Sequence, residues 1–130
     1  MKKFDEWSLF KKDLHAGKGS IHTFHENEIW WMSIGVNIGF EEDGKNDSYE
    51  RPVLVLRKFG KDLFVGLPLS TVQKEGIFYI NFQASSGLKY SVLLSQIKVF
   101  SSKRLLRKIS KLSRGKISLI KKSLKDLLKL

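Results

Sequence analysis

This sequence predicts a mainly β domain with helices at its ends, its strands curled into a small barrel or sandwich. Three observations carry that expectation. Between residues 26 and 100, five short apolar runs alternate with polar or glycine-containing stretches, and no helical pattern intervenes. From Lys116 onward the apolar residues gather on one arc at helical pitch. The chain is 130 residues long, enough for one hydrophobic core and short for two. An apolar share of 42% with 28% charged residues argues against disorder.

The elements follow in order. Phe4, Trp7, Phe10 and Leu14 recur near helical spacing before Gly17, which predicts a short amphipathic helix. Gly17-Lys18-Gly19-Ser20 then reads as a hinge, so residues 1–25 form an N-terminal helical extension and residues 26–130 the barrel domain. The strand candidates are Glu28–Ile34, Pro52–Leu56, Leu63–Leu69, Ile77–Phe82 and Tyr90–Phe100. In the fourth, Phe78, Ile80 and Phe82 share one face. Val53-Leu54-Val55-Leu56 does not alternate, which predicts a strand buried on both sides. Phe40 to Glu50 is a long acidic loop of the kind that often carries function. Residues 103–112 fit a helix through Leu105, Ile109 and Leu112, and fit a short basic strand equally well. The last helix has Ile117, Ile120, Leu124, Leu127 and Leu128 on its stripe, with Lys121, Lys122, Lys125 and Lys129 on the adjoining face. Leu119 and Leu130 fall outside the stripe.

Composition excludes several chemistries. With no cysteine there is no disulfide framework, thiolate zinc site or cysteine nucleophile. The longest apolar runs are far too short to span a bilayer, and Asp5 and Glu6 interrupt the start where a signal peptide needs an apolar core. A cytoplasmic location is expected. His22 and His25 have no further histidine or carboxylate to complete a recognisable ligand set, so no metal is expected, and surface roles suit the three histidines better.

The net charge of +11 is concentrated. Residues 101–130 carry 11 basic groups against Asp126 alone, whereas residues 1–100 are nearly balanced. Such a segment attracts polyanions, namely nucleic acid, an anionic lipid surface or an acidic protein, or it is a solvated face that keeps the chain soluble. A peripheral anchor through residues 116–130 has the required amphipathic form, but packing of that helix on the barrel explains the same pattern more simply.

Four segments in order resemble one family: Glu28-Ile29-Trp30-Trp31, Arg51-Pro52-Val53-Leu54-Val55-Leu56, Pro68-Leu69-Ser70-Thr71, and Ser91-Val92-Leu93-Leu94-Ser95-Gln96-Ile97 followed by Ser102-Lys103-Arg104-Leu105. They resemble the MazF/PemK toxins of toxin–antitoxin systems over about residues 26–128. The resemblance implies an SH3-like barrel of the CcdB/MazF type with a C-terminal helix, forming a homodimer. It also implies a metal-independent, cofactor-free endoribonuclease that cuts single-stranded RNA, mRNA included, at short sequences and is blocked by a cognate antitoxin, with no membrane partner. The loop before Arg51 is longer and more acidic than the family's glycine-containing turn, and residues 1–25 are an addition to the pattern.

By this resemblance Arg51 and Thr71 are the catalytic candidates, and Glu41, Ser70 and Gln96 the RNA-binding ones. The chemistry suits them. RNA supplies its own nucleophile, the 2′-OH, so the protein has to hold the phosphate and stabilise charge gathering on its oxygens. A guanidinium matches phosphate oxygens with a planar fork of donors, and a threonine hydroxyl can orient the reacting groups. The alternatives from spacing alone are an arginine flanking an edge strand and a Ser-Thr pair ending one. Trp30, Trp31 and Tyr49 are candidates for stacking on bases, with at least one tryptophan expected in the core. The alternative function is a barrel that acts by binding only, either inactive or directed at gyrase, since one fold serves several functions.

Overall fold

The computed structural model describes residues 23–33, 50–84 and 86–130. The helix expected over residues 1–17, His15, His22, Glu41 and the acidic loop through Tyr49 lie outside the described residues. Seven strands and one helix make up the fold: β1 (Glu28–Ser33), β2 (Glu50–Lys58), β3 (Leu63–Ser70), β4 (Tyr79–Gln83), β5 (Lys89–Leu93), β6 (Lys98–Ser101), β7 (Leu105–Lys111) and α1 (Arg114–Leu128). The main path of the sheet runs β4-β5-β3-β2-β1-β7, with β6 on β3, and every pairing is antiparallel.

β3 organises the curl. One side pairs with β2; the other pairs first with β6, through Leu63–Gly66, and then with β5, through Leu69 and Ser70. Register shifts at Val55/Arg57 against β3, and at two points of β1 against β7, bend the strands further. As a result the two end strands come back toward each other. Phe82–Ala84 at the end of β4 and Ser110–Ser113 at the end of β7 line a shared groove of about 200 Å³.

Two clusters of apolar side chains fill the two faces. Strand alternation sends Leu54, Leu56, Leu67 and Leu69 to one cluster, with Ile29, Phe82, Tyr90 and Val92. It sends Val53, Val55 and Phe64 to the other, with Phe24, Trp30, Met32, Phe100 and Leu105. The unalternating run in β2 is therefore buried on both sides, as expected. Phe24 belongs to this packing although it precedes residue 26: its ring meets Phe64 at 5.4 Å, and Phe64 in turn meets Phe100 at 5.7 Å.

Helix α1 covers the first cluster with Ile117, Ile120 and Leu124. Ser113 caps its start by accepting from the Lys116 N–H, and Lys129 ends it in the left-handed region. Leu128, expected on the stripe, is exposed, as are Leu119 and Leu130, which fall outside it. Two further expectations change and one open choice is settled. The run Tyr90–Phe100 is not one strand: a 3₁₀ turn at Leu94–Gln96 separates β5 from β6. Residues 105–111 are the strand of the two alternatives, because pairing with β1 satisfies their backbone. Phe78 precedes β4 and is exposed. No helix among the described residues is long and apolar enough to cross a membrane.

Two tight points follow from the sheet. Gly66 has no room for a side chain: a Cβ there would lie 2.8 Å from Val53 Cγ1, 3.0 Å from the Phe64 ring and 3.1 Å from the Leu54 carbonyl oxygen. Gly66→Ala is expected to destabilise the fold by about 1–3 kcal/mol through overpacking. A urea midpoint that falls at unchanged slope checks it.

Glu28 is the second point. It is buried on β1 and accepts from the His25 N–H at 2.8 Å and from Trp30 Nε1 at 3.0 Å, and Lys108 Nζ of β7 lies 3.0 Å away. Burial alone would raise its carboxyl, but the bonds from Trp30, Lys108 and His25, with the Lys108 charge, outweigh that and hold it below the usual value. A depressed carboxyl stabilises the fold above its unfolded value near 4.5 and loses that contribution as pH falls through the folded one. Glu28→Gln is expected to cost about 1–3 kcal/mol at pH 7. The deficit should shrink as acid protonates the wild-type carboxyl, which denaturation at pH 7 and pH 3 reads directly.

Candidate functional site

Both prolines of the chain lie at one end of the β2–β3 pair: Pro52 is opposite Trp31, and Pro68 is opposite Val53. Proline donates no N–H, so this end of the sheet is short of two backbone donors. Arg51, the residue before Pro52, donates from Nη1 to the Leu69 carbonyl at 3.1 Å. Its side chain is 1% exposed, which is rare for a guanidinium, since burying a charge costs several kcal/mol unless it is paired and hydrogen-bonded. The sequence marks the position of this arginine but does not predict its burial.

β3 ends at Ser70, one residue beyond Leu69, and Thr71 is the first residue past it, exposed to solvent. The segment leaving Thr71 is held by side chains from neighbouring strands. The Ser70 hydroxyl accepts from the Val72 N–H at 3.1 Å. On β5, opposite Ser70, the Ser91 hydroxyl accepts from the Lys74 N–H at 2.9 Å and donates to Asn81 Oδ1. Asn81 closes the lattice by donating from Nδ2 to the Lys74 carbonyl at 2.9 Å. A backbone segment without ladder partners thus gains fixed donors and acceptors, and Thr71 is carried on a braced turn.

The five site residues expected from the sequence divide accordingly. Arg51, Ser70 and Thr71 come together at the Pro52/Pro68 end of the sheet, but Ser70 is buried and its hydroxyl is engaged inside the turn. Gln96 is half-buried in the 3₁₀ turn. The pairing of Lys98 with Gly66 sets that turn near Gly66, about 13 Å along β3 from Ser70. Glu41 lies outside the described residues. Of the tryptophans, Trp30 is buried in the core and Trp31 is partly exposed.

β7 and the 3₁₀ turn that precedes it add cations that the sequence reading did not single out as site residues. Arg107 lies 3.1 Å from Glu50, the residue beside Arg51, and its guanidinium sits 5.2 Å from the Trp31 ring centre. Arg104 donates to the Ser33 carbonyl at 3.4 Å, and burial lowers its pKa. Ser33 is in turn paired with Glu50, so all three arginines gather around the end of β1 and the start of β2. The signal was present in Lys103-Arg104-Leu105-Leu106-Arg107-Lys108. What hid it was the open choice between helix and strand, since only the strand brings Arg107 beside Trp31 and Glu50.

Among the described residues, no group of three histidine, aspartate or glutamate side chains is arranged to hold a metal ion. His25 lies with Nδ1 3.6 Å from Glu28 and is otherwise exposed. The site therefore offers a buried guanidinium, an exposed hydroxyl on a braced turn, and two further arginines, one of them over the Trp31 ring. This set can bind an anion and stabilise negative charge that develops on it.

Comparison with known structures agrees with this architecture. The chain superposes on MazF from Deinococcus radiodurans with a TM-score of 0.68 at 20% identity, covering 84% of this chain and 99% of that one. An endoribonuclease in complex with its cognate antitoxin, from a mycobacterial species, gives 0.62 at 13% identity, covering 83% and 97%. A MazE-MazF structure from Deinococcus radiodurans gives 0.63 at 17%, covering 84% and 98%. At these identities the likeness shows the fold. No curated protein matches the chain in sequence. The family model for PemK-like, MazF-like toxins of type II toxin–antitoxin systems matches residues 25–128, nearly the whole described chain, and takes in every strand and the helix. The chain belongs to this family of toxins.

Proposed function

We propose that the chain is a sequence-selective endoribonuclease that cuts single-stranded RNA without a metal or cofactor. The observation that carries this reading is the Arg51 guanidinium, held at the Leu69 carbonyl beneath the strand end from which Thr71 emerges. A toxin of this family with such a pair of groups has what RNA cleavage requires. The 2′-oxygen attacks the adjacent phosphorus, the bond to the 5′-oxygen breaks, and the 2′-proton is lost as the 5′-oxygen gains one. The products are a 2′,3′-cyclic phosphate and a 5′-hydroxyl.

Arg51 stabilises the charge that builds on the non-bridging oxygens, and it is the available proton donor for the leaving oxygen. As a permanent cation it is a poor base. Thr71 orients the phosphate or the attacking hydroxyl. In the RNA-free chain the guanidinium is out of solvent, so phosphate engagement includes an exchange of its Leu69 contact for phosphate oxygens. Glu41, Ser70 and Gln96 contribute to RNA recognition around this centre, with Ser70 acting through the Thr71 turn. Trp31 and Arg107 form a platform on which an unpaired base can stack.

The partners follow from the same reading. A cognate antitoxin, acidic and folding as it binds, occupies the basic and aromatic surface. A second copy of the chain completes a homodimer, for which Leu63 and Val99 supply exposed apolar surface on one face of the β3–β6 pair. The working location is the cytoplasm, where mRNA is available.

The test is cleavage of a long single-stranded RNA by purified protein in EDTA, with product ends mapped. Site-limited cuts with cyclic phosphate and 5′-hydroxyl ends are expected. Arg51→Ala should lower the rate by about 10²–10³-fold, the scale of one lost oxyanion donor. Thr71→Ala should cost about tenfold, the scale of one neutral hydrogen bond. Arg51→Met separates function from packing: it should be as inactive as alanine yet more stable than alanine, because it keeps the buried volume and loses mainly the bond to the Leu69 carbonyl, about 1–3 kcal/mol. Equal cutting by wild type and Arg51→Ala overturns the assignment, and absence of cutting by both points to a barrel that acts by binding.

A further inference from the structure

Thr71 stands just past the end of β3, outside the ladder, so its neighbours decide where its hydroxyl lies. Four polar residues form a row across four adjacent strands beside it. Ser70 of β3 is paired with Ser91 of β5, and Ser91 with Asn81 of β4. Arg51 stands two residues along β2 from Val53, and Ser70 two along β3 from Pro68, the partner of Val53, so the row continues to Arg51. Paired residues share a face of the sheet. The row is buried at Arg51, Ser70 and Ser91 and reaches solvent at Asn81.

This row grips the Thr71 segment on its far side at two points. One is Val72, whose N–H donates to the Ser70 hydroxyl at 3.1 Å. The other is Lys74, which is held three ways. Its N–H donates to the Ser91 hydroxyl at 2.9 Å, its carbonyl accepts from Asn81 Nδ2 at 2.9 Å, and its ammonium lies 5.9 Å from the centre of the Tyr79 ring on β4. The Ser91 hydroxyl also donates to Asn81 Oδ1, so it serves as donor and acceptor at once. A stretch as short as Thr71–Gln73, fixed at both ends, has few conformations open to it.

We propose that Ser91 and Asn81 are positioning residues, which fix the Thr71 hydroxyl at the Arg51 centre for cleavage. The inference rests on the ribonuclease reading and deepens it. Two observations favour positioning over the mere filling of bonds. Ser91 is fully buried, whereas the other buried residues of β5 are Tyr90, Val92 and Leu93. A hydroxyl in such a place is costly unless bonded, and its bonds go to the Thr71 segment and to Asn81. Asn81 is exposed, where water satisfies an amide equally well, so its bond to Lys74 adds a fixed direction more than it adds stability. Both residues act through the turn. A group misplaced by about 1 Å can lose about a hundredfold in rate, and the ceiling here is whatever Thr71 itself contributes.

The test is a double-mutant cycle, read as kcat and KM for cleavage at one mapped site of a single-stranded RNA. Ser91→Ala is expected to lower kcat by about five- to tenfold and Asn81→Ala by about threefold, each with KM within about twofold of wild type. In the Thr71→Ala background the same two substitutions should change kcat by less than about twofold, because the hydroxyl they position is gone. Gln83→Ala is the control. It removes a comparable bond on the same strand, from Nε2 to the Gly87 carbonyl at 3.1 Å, and should match wild type. Equal losses with and without the Thr71 hydroxyl overturn the inference, since that damage bypasses Thr71. So does the absence of any loss from Ser91→Ala and Asn81→Ala. Should Ser91→Ala fail to fold, Asn81→Ala carries the cycle alone, because its side chain lies at the surface. A wild type that cuts nothing overturns the ribonuclease reading and this assignment with it, a result distinct from an active wild type whose losses simply add.

Discussion

Burial of β2 on both faces is the constraint on which the rest depends. Val53 and Val55 face one cluster, Leu54 and Leu56 the other, and all four are nearly or fully out of solvent. A strand like this cannot sit at the surface of an open sheet, so each face needs its own cover. Helix α1 covers one, and the aromatic group of Phe24, Phe64 and Phe100 covers the other. Once both are in place, the start of β2 is sealed as well, and whatever residue stands there is enclosed. In this chain that residue is an arginine.

The same constraint explains how the acidic groups are used. Glu26, Glu28 and Glu50 lie near the ends of β1 and β2, where the barrel wall would otherwise expose or strand polar atoms. Each takes up cations or N–H groups from adjacent elements, and Glu28 links β1 to β7 although it is itself buried. Carboxylates used this way stabilise strand pairing.

The site draws on both layers of this organisation. Two prolines remove backbone donors from one end of the β2–β3 pair, and a guanidinium donates at that end instead. Beyond it, a turn without ladder partners is braced by Ser91 and Asn81 from the next two strands. The combination leaves one hydroxyl, that of Thr71, outside and one permanent charge, that of Arg51, directly inside. A rigid frame with a few polar groups fixed at its rim suits the binding of a strongly charged ligand.

The sequence alone determined the mainly β class, the double burial of Val53–Leu56, the C-terminal amphipathic helix and the concentration of positive charge in residues 101–130. Those features are written in local periodicity and composition, which depend on neighbours a few residues apart. The position of Arg51 before Pro52, and of Thr71 after Leu69, was legible for the same reason. What only the tertiary structure decided are the relations between distant segments: the split of residues 90–100 by a 3₁₀ turn, and the choice of strand for residues 105–111. Tertiary packing also decided the burial of Arg51 against a carbonyl 18 residues away and the gathering of Arg104 and Arg107 around β1. A basic run of ten residues satisfies helical and extended spacing alike, and only a partner strand with free donors and acceptors selects between them. Likewise, no local pattern tells whether an arginine faces water or carbonyl, because the atoms that exclude the water come from elsewhere in the chain.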